Sequence, residues 1–201
     1  DTIRMMAVLD DKNDIAEALL NLSALFRYHI RNSDKPVTVK EELAQIKNYL
    51  SLQKLRLQEK LEVIYDTDPE ALGCYMPKIL LQPILENCFS HGFKDISHKL
   101  IITVGIKKEG RDICFTVSDN GRGMTVDELD KLAEKLSRHA MPAEHGIGLY
   151  NVNERLRLYF SDNRGLIIQS RENEGMSVSF SIPASPDADA LYQFKKPRKE
   201  N

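Results

Sequence analysis

The spacing of apolar positions changes character along the chain. In the N-terminal third they recur every three or four residues. Ile15, Leu19, Leu22, Phe26 and Ile30 form one stripe, and Leu43, Ile46, Leu50 and Leu57 form a second, interrupted at Gln53. Asn32-Ser33-Asp34-Lys35-Pro36 separates the two helices, and Thr38-Val39-Lys40-Glu41 has the capping-box spacing that starts the second. Core packing explains both stripes without any chemistry, and their length predicts an elongated helical arm that pairs with another helix.

Beyond residue 60 the period shortens. Residues 61–66 read as a strand and Asp66-Thr67-Asp68-Pro69 as a turn. Pro77 and Gly92 frame a helix, in which Pro83 predicts a kink because it removes the bond to the carbonyl of Ile79. Alternation predicts strands at 100–107 and 112–118. Thr125-Val126-Asp127-Glu128 opens a short polar helix, a loop runs to Glu144, and 147–160 reads as a further helix. Strands at 166–170 and 176–182 close the pattern, and the proline- and charge-rich stretch 185–201 is expected to lack order. This succession is not a regular βαβ alternation. It predicts an α+β fold, a two-layer α/β sandwich with helices on one face of a mixed, mostly antiparallel sheet.

Composition narrows the function classes. The charges nearly cancel, 28 basic against 30 acidic, so no extended nucleic-acid surface is expected. No apolar run approaches the roughly 18 residues of a membrane span. Three scattered cysteines, Cys74, Cys88 and Cys114, argue against a disulfide framework and for a cytoplasmic setting.

Three short motifs carry candidate chemistry. Asp119-Asn120-Gly121-Arg122-Gly123 follows a strand. It is a common turn pattern, yet a carboxylate there can also accept a hydrogen bond from the exocyclic amine of adenine, while it repels the oxygen of guanine. His145-Gly146-Ile147-Gly148-Leu149 opens a helix, where backbone N–H groups and the helix dipole favour an anion such as phosphate. It is neither a P-loop nor the dinucleotide fingerprint. Asn87 and His91 lie four apart on one helical face, and a neutral asparagine can give one oxygen to Mg²⁺. Each motif alone has a bland structural reading.

In this order and at these separations the three resemble the GHKL superfamily of ATP-binding domains, and most of all sensor histidine kinases of the LytS/YesM-like type. Leu80-Leu81-Gln82-Pro83-Ile84-Leu85-Glu86-Asn87-Cys88-Phe89-Ser90-His91-Gly92 is similar to that family's asparagine-bearing helix. Residues 146–156 resemble its second glycine box, and Tyr49-Leu50-Ser51-Leu52-Gln53-Lys54-Leu55-Arg56 its linker helix. The resemblance implies the Bergerat/GHKL fold over 59–184, after an arm at 1–58 that forms part of a dimerisation and phosphoacceptor region, with a tail at 185–201.

It implies further that ATP and Mg²⁺ are bound. Asn87 would ligate the metal, and Asp119 would hold adenine with Gly121 and Gly123 shaping the pocket. Gly146, Gly148 and Leu149 would meet the phosphates, and His91 would line the nucleotide. A lid would span about 124–145, with Lys131, Lys135, Arg138 and His139 as cations near phosphate. The implied reaction moves the γ-phosphoryl of ATP to a histidine and onward to a response regulator, within a homodimer anchored to a membrane only through segments upstream.

The family's acceptor stretch, similar to NPHFLYN, is absent, and none of His29, His91, His98, His139 and His145 replaces it. The expectation is nucleotide binding without efficient autophosphorylation, and the competing expectation is a non-catalytic, nucleotide-gated interaction module. Three positions depart from the family pattern: Ser90 where a lysine is common, Pro83 where a polar or acidic residue can stand, and Met176 where a threonine is usual.

Overall fold

A computed structural model describes residues 2–30, 35–92, 98–137, 147–160 and 164–192. Two helices, α1 (Thr2–Leu9) and α2 (Asn13–Ile30), lead into the short strand β1 (Val37–Thr38) and helix α3 (Val39–Leu57). The predicted capping box is formed: the Thr38 hydroxyl accepts from Glu41 N at 3.2 Å, and the Glu41 carboxylate accepts from Thr38 N at 2.8 Å. There follow β2 (Leu61–Thr67), β3 (Tyr75–Met76), α4 (Gln82–Asn87), β4 (Leu100–Glu109) and β5 (Asp112–Asp119). Helices α5 (Val126–Ser137) and α6 (Ile147–Tyr159), strands β6 (Ile167–Arg171) and β7 (Gly175–Pro183), and the short helix α7 (Ala188–Tyr192) complete the order.

The main sheet runs β2-β4-β5-β7-β6, and β1 pairs with β3 in a separate ribbon. Among the described residues only β2 and β4 are parallel, with Leu61 opposite Leu100; the other pairs are antiparallel. Parallel neighbours need a crossover, and α4 lies within it. Alternate residues point to one face: Ile102 and Val104 on β4, Phe115 and Val117 on β5, and Val178 and Phe180 on β7 are all buried. The rings of Phe115 and Phe180 stack at 4.8 Å. Helices α3, α4 and α6 cover this face through Leu43, Ile46, Ile84, Leu85, Val152 and Leu156. Each such burial contributes about 1.5–3 kcal/mol. On the other face Thr116, Ser118, Ser177 and Ser179 are half-buried. The helices-on-one-face, mostly antiparallel α+β architecture is therefore as the sequence predicts.

Three expectations need correction. Residues 77–81 are not helical, and α4 begins at Gln82. Pro83 stands in its first turn, where a missing N–H has no partner to lose, so it starts the helix instead of kinking it. The stretch 185–192 is ordered: Ser185 and Leu191 are buried, and Tyr75 N donates to the Ser185 carbonyl at 2.8 Å. A buried apolar side chain and a backbone bond to β3 hold this polar segment; residues 193–201 lie outside the described set. Finally, the first arm stripe is not core. Ala16 and Leu25 are the buried residues of α2, whereas Ile15, Leu22, Phe26 and Ile30 are exposed.

Candidate functional site

Asp119 ends β5 at the edge of the helical layer. In the ladder it faces Ile102 on β4 and Met176 on β7. Its carboxylate accepts from Gly121 N at 2.8 Å, with the Cys88 side chain and the Met176 backbone beside it; the Cys88 thiol donates to the Ile84 carbonyl at 3.5 Å. A carboxylate has about four lone-pair positions, so further donors can be accommodated. Burial pushes the Asp119 carboxyl above its usual range, with Gly121, Cys88 and Met176 opposing the shift. The Cys88 thiol is pushed well up by its own burial and then by the neighbouring Asp119 charge.

Glycines hold this corner open. A Cβ on Gly121 would lie 2.5 Å from Gly92 Cα, and one on Gly92 would meet Asp119 Oδ1 at 3.0 Å. Gly123 has φ +65 and Gly175 φ +89; a Cβ on Gly175 would approach the Asp119 carbonyl carbon to 2.8 Å. Arg122 N donates to the Gly92 carbonyl at 3.2 Å, tying the loop to the end of the crossover.

Asn87 is the last residue of α4, where the helix widens into a π-turn at Cys88–Gly92, a distortion often found at functional sites. Its amide nitrogen donates to Met176 Sδ at 3.6 Å. The amide oxygen has no hydrogen-bond donor among the described residues, which suits an oxygen ligand to a hard cation. Among the described residues there is no group of three or more His, Cys, Asp and Glu placed to hold a metal. A cation here would complete its shell with phosphate and water, as Mg²⁺ commonly does.

Gly148 and Leu149 lie in the first turn of α6, whose N–H groups have no helical partner. Gly148 is exposed, and a Cβ there would only touch Pro83 Cβ at 3.5 Å. Leu149 is buried in the core, so its backbone amide is the part available to a ligand. A cleft of about 620 Å³ opens beside this corner, lined by Asp119, Met176, Leu129, Ile168 and Arg171 among others. Its walls come from β5, β6, β7 and α5. The Thr125 cap is formed, with Glu128 N donating to the hydroxyl at 3.3 Å and Glu128 Oε2 accepting from Thr125 N at 2.9 Å.

The structure thus gathers Asn87, Asp119, Gly121 and Gly123 around Met176, Gly92 and Gly175, while Gly148 lies against Pro83 in the first turn of α4. Gly146, Arg138, His139 and His145 lie outside the described residues, as does the side chain of His91. Lys131 and Lys135 are exposed on α5. Ser90 is exposed and donates to the Glu86 carbonyl at 2.8 Å. Sequence reasoning marked Met176 only as a departure from the family pattern and missed it as the partner of Asn87, and it missed Cys88 as a neighbour of Asp119; a thiol and a thioether carry no motif that points to such contacts.

Residues 77–186 match the family of histidine kinase-, DNA gyrase B- and HSP90-like ATPases, and residues 1–61 match histidine kinases. The chain is 34% identical over 168 residues to the sensor histidine kinase YpdA of Escherichia coli, covering 83% of this chain and 28% of that protein. It is 30% identical over 183 residues to the sensor histidine kinase YesM of Bacillus subtilis, covering 91% and 30%. The sensor protein LytS of Staphylococcus saprophyticus is 34% identical, covering 86% and 29%. The chain therefore spans under a third of these relatives.

Among solved structures, the histidine kinase domain of the Erythrobacter litoralis EL346 blue-light activated kinase shares the fold, with TM-score 0.57 and 16% identity. That likeness covers 91% of this chain and 80% of the other. The nucleotide-free catalytic domain of histidine kinase ThkA shares it with TM-score 0.55 and 14% identity, over 76% and 97%. No helix among the described residues is long and apolar enough to cross a membrane. The chain belongs to the histidine kinase-, DNA gyrase B- and HSP90-like ATPase family, in which it corresponds to the ATP-binding catalytic region of sensor histidine kinases.

Proposed function

We propose that this chain binds Mg·ATP at the Asp119 corner and presents the γ-phosphoryl group to a histidine outside the five it contains, for onward transfer to a response regulator. The observation that carries the reading is the cradle formed by Asp119, Gly92 and Gly121. It pairs a half-buried carboxylate that keeps acceptor positions beyond its bond from Gly121 N with a backbone that excludes any Cβ. Asp119 selects adenine by accepting from its amine. The first-turn amides of α6, at Gly148 and Leu149, face phosphate, together with Gly146. Asn87 supplies an oxygen to Mg²⁺, and His91 lines the nucleotide. A cation held by Asn87 would, with the amides of Gly148 and Leu149, neutralise charge on the phosphates, which is most of what phosphoryl transfer asks of a protein.

His29 and His98 are engaged locally, His29 Nδ1 with the Leu25 carbonyl at 2.7 Å and His98 Nε2 with the Asn120 carbonyl at 2.8 Å. The exposed stripe of α2 is read as the seam for a second copy of the chain. Native mass spectrometry after incubation with Mg·ATP, beside Mg·GTP and Asp119→Asn, tests the proposal. Expected are ATP adducts, far fewer with GTP or the variant, and no covalent phosphate. Absence of any nucleotide would turn the reading to an interaction scaffold. A covalent phosphoryl group would show that one of the five histidines accepts.

A further inference from the structure

The approach to α4 is held by a carboxylate from another helix. Glu42 on α3 is 1% exposed and accepts from three consecutive backbone N–H groups: Ile79 at 3.0 Å, Leu80 at 2.9 Å and Leu81 at 3.3 Å. Its fourth donor is the hydroxyl of Tyr28, from arm helix α2. Four donors match the capacity of one carboxylate. Burial, and then the charge of Glu42, pushes the Tyr28 phenol well up, so it stays a protonated donor. The buried Lys78 lies 4.3 Å from the centre of the Tyr28 ring and donates to the Tyr28 carbonyl.

The segment held in this way is strained. Ile79 has φ +58, a region that β-branched residues rarely enter. Such a conformation persists only where its surroundings over-determine it, and here both ends of the residue are held. Its N–H goes to Glu42, and its carbonyl accepts from Arg155 of α6 at 3.2 Å. Leu81 then leads into α4, whose last residue is Asn87. The arm, the asparagine helix and the glycine-box helix thus meet at the four atoms around one carboxylate and one peptide. A shift of α2 would withdraw the Tyr28 hydroxyl and leave a buried charge one donor short.

We infer that Glu42 is a positioning residue for the nucleotide site, passing the placement of arm helix α2 to the first turn of α4 and so to Asn87. The inference rests on the nucleotide reading of that site. It makes Tyr28 the arm's contact, and Arg155 the route by which α6 shares the same strained peptide.

The test uses the whole chain as parent, Tyr28→Phe, Glu42→Gln and the double variant. Amide exchange is measured without nucleotide, and the Kd of a non-hydrolysable Mg·ATP analogue is measured separately. Tyr28→Phe keeps the ring over Lys78 and loses only the hydroxyl. Exchange at Ile79, Leu80 and Leu81 should quicken about tenfold and the Kd rise about three- to tenfold, while β4 and β5 amides are unchanged. The double variant should bind no worse than Glu42→Gln alone, because both act through one carboxylate. Unchanged exchange at 79–81 in Tyr28→Phe, an increase spread evenly through the sheet, or additive effects on Kd would each overturn the inference. If Glu42→Gln fails to fold, Tyr28→Phe still decides. If the parent takes no nucleotide, the site reading fails, yet exchange at 79–81 still decides whether the arm and α4 are joined.

Discussion

Gly121 passes against the backbone of Gly92 so closely that a single added carbon would lie 2.5 Å from Gly92 Cα and 2.6 Å from its carbonyl carbon. The neighbour is main chain, so no rotamer change relieves the overlap. Gly121→Ala should destabilise the fold by about 1–3 kcal/mol, as overpacking does. It should also abolish detectable ATP binding, because relief can come only by moving the loop off Asp119. Urea unfolding and calorimetric titration separate the two effects; tight binding retained in a folded variant would remove the cradle from the site.

Asp119→Asn should trade function against stability. The half-buried carboxyl is held above its ordinary range, so the folded state binds this proton more tightly than the unfolded state. That contribution is complete in acid, below the unfolded pKa near about 4, and is lost as pH rises through the raised folded value. At pH 7 ionised Asp119 is a net cost. The asparagine variant should therefore be at least as stable as the parent there, with the advantage vanishing in acid. Its ATP affinity should fall about 10- to 100-fold, the worth of a hydrogen bond to a charged group. Thermal unfolding across pH, paired with titrations at neutrality, checks both halves.

Asn87→Ala removes the amide that touches Met176 and the oxygen assigned to the cation. Nucleotide titrated in the presence of a chelator should bind the variant and the parent almost equally. The gain produced by Mg²⁺ should shrink at least about tenfold in the variant. Equal magnesium enhancement in both proteins would move the metal ligand elsewhere.

Thr125→Ala deletes the cap of α5, whose carboxylate partner Glu128 is also paired with Arg122 at 3.1 Å. The expected loss is about 1 kcal/mol, confined to the start of that helix. Amide exchange over 126–129 should accelerate while β5 is untouched.

Phe26→Glu addresses the arm. Phe26 is 60% exposed and Ile30 82%, on a helix whose buried residues are alanine and leucine. Light scattering should show self-association of the parent and a monomeric variant with unchanged melting. An unchanged mass in solution would assign the stripe another role.

The five strands of the main sheet, both capping boxes and the order of the three motifs were legible because each rests on local spacing. The two-residue strands β1 and β3, which need each other as partners, were not. The expectations that failed depend on distant partners. The stripe of Ile15, Leu22 and Phe26 announces an apolar helix face but not what covers it. Pro77 resembles a helix start, yet residues 77–81 are drawn into an irregular strained path by Glu42, far back in the chain. A lone glutamate on a helix reads as a solvated charge, and nothing local marks it as buried. Leu191 shows the same effect at the other end, an apolar residue buried from a segment whose average is polar. The site was legible in its polar members, whereas its sulfur contacts, Cys88 and Met176, were not.

The register of the sheet bears on how the molecule assembles. Asp119 and Met176 become neighbours only when β5 and β7 pair, and Asn87 sits inside the crossover that β2 and β4 must close around it. Arm helices need only nearby residues and can form early, whereas these pairings wait on long loop closures. Nucleotide therefore has nothing to grip on a half-folded chain. Its presence should leave the refolding rate unaltered and appear only as slower unfolding, a ligand that guards the finished structure without guiding its formation.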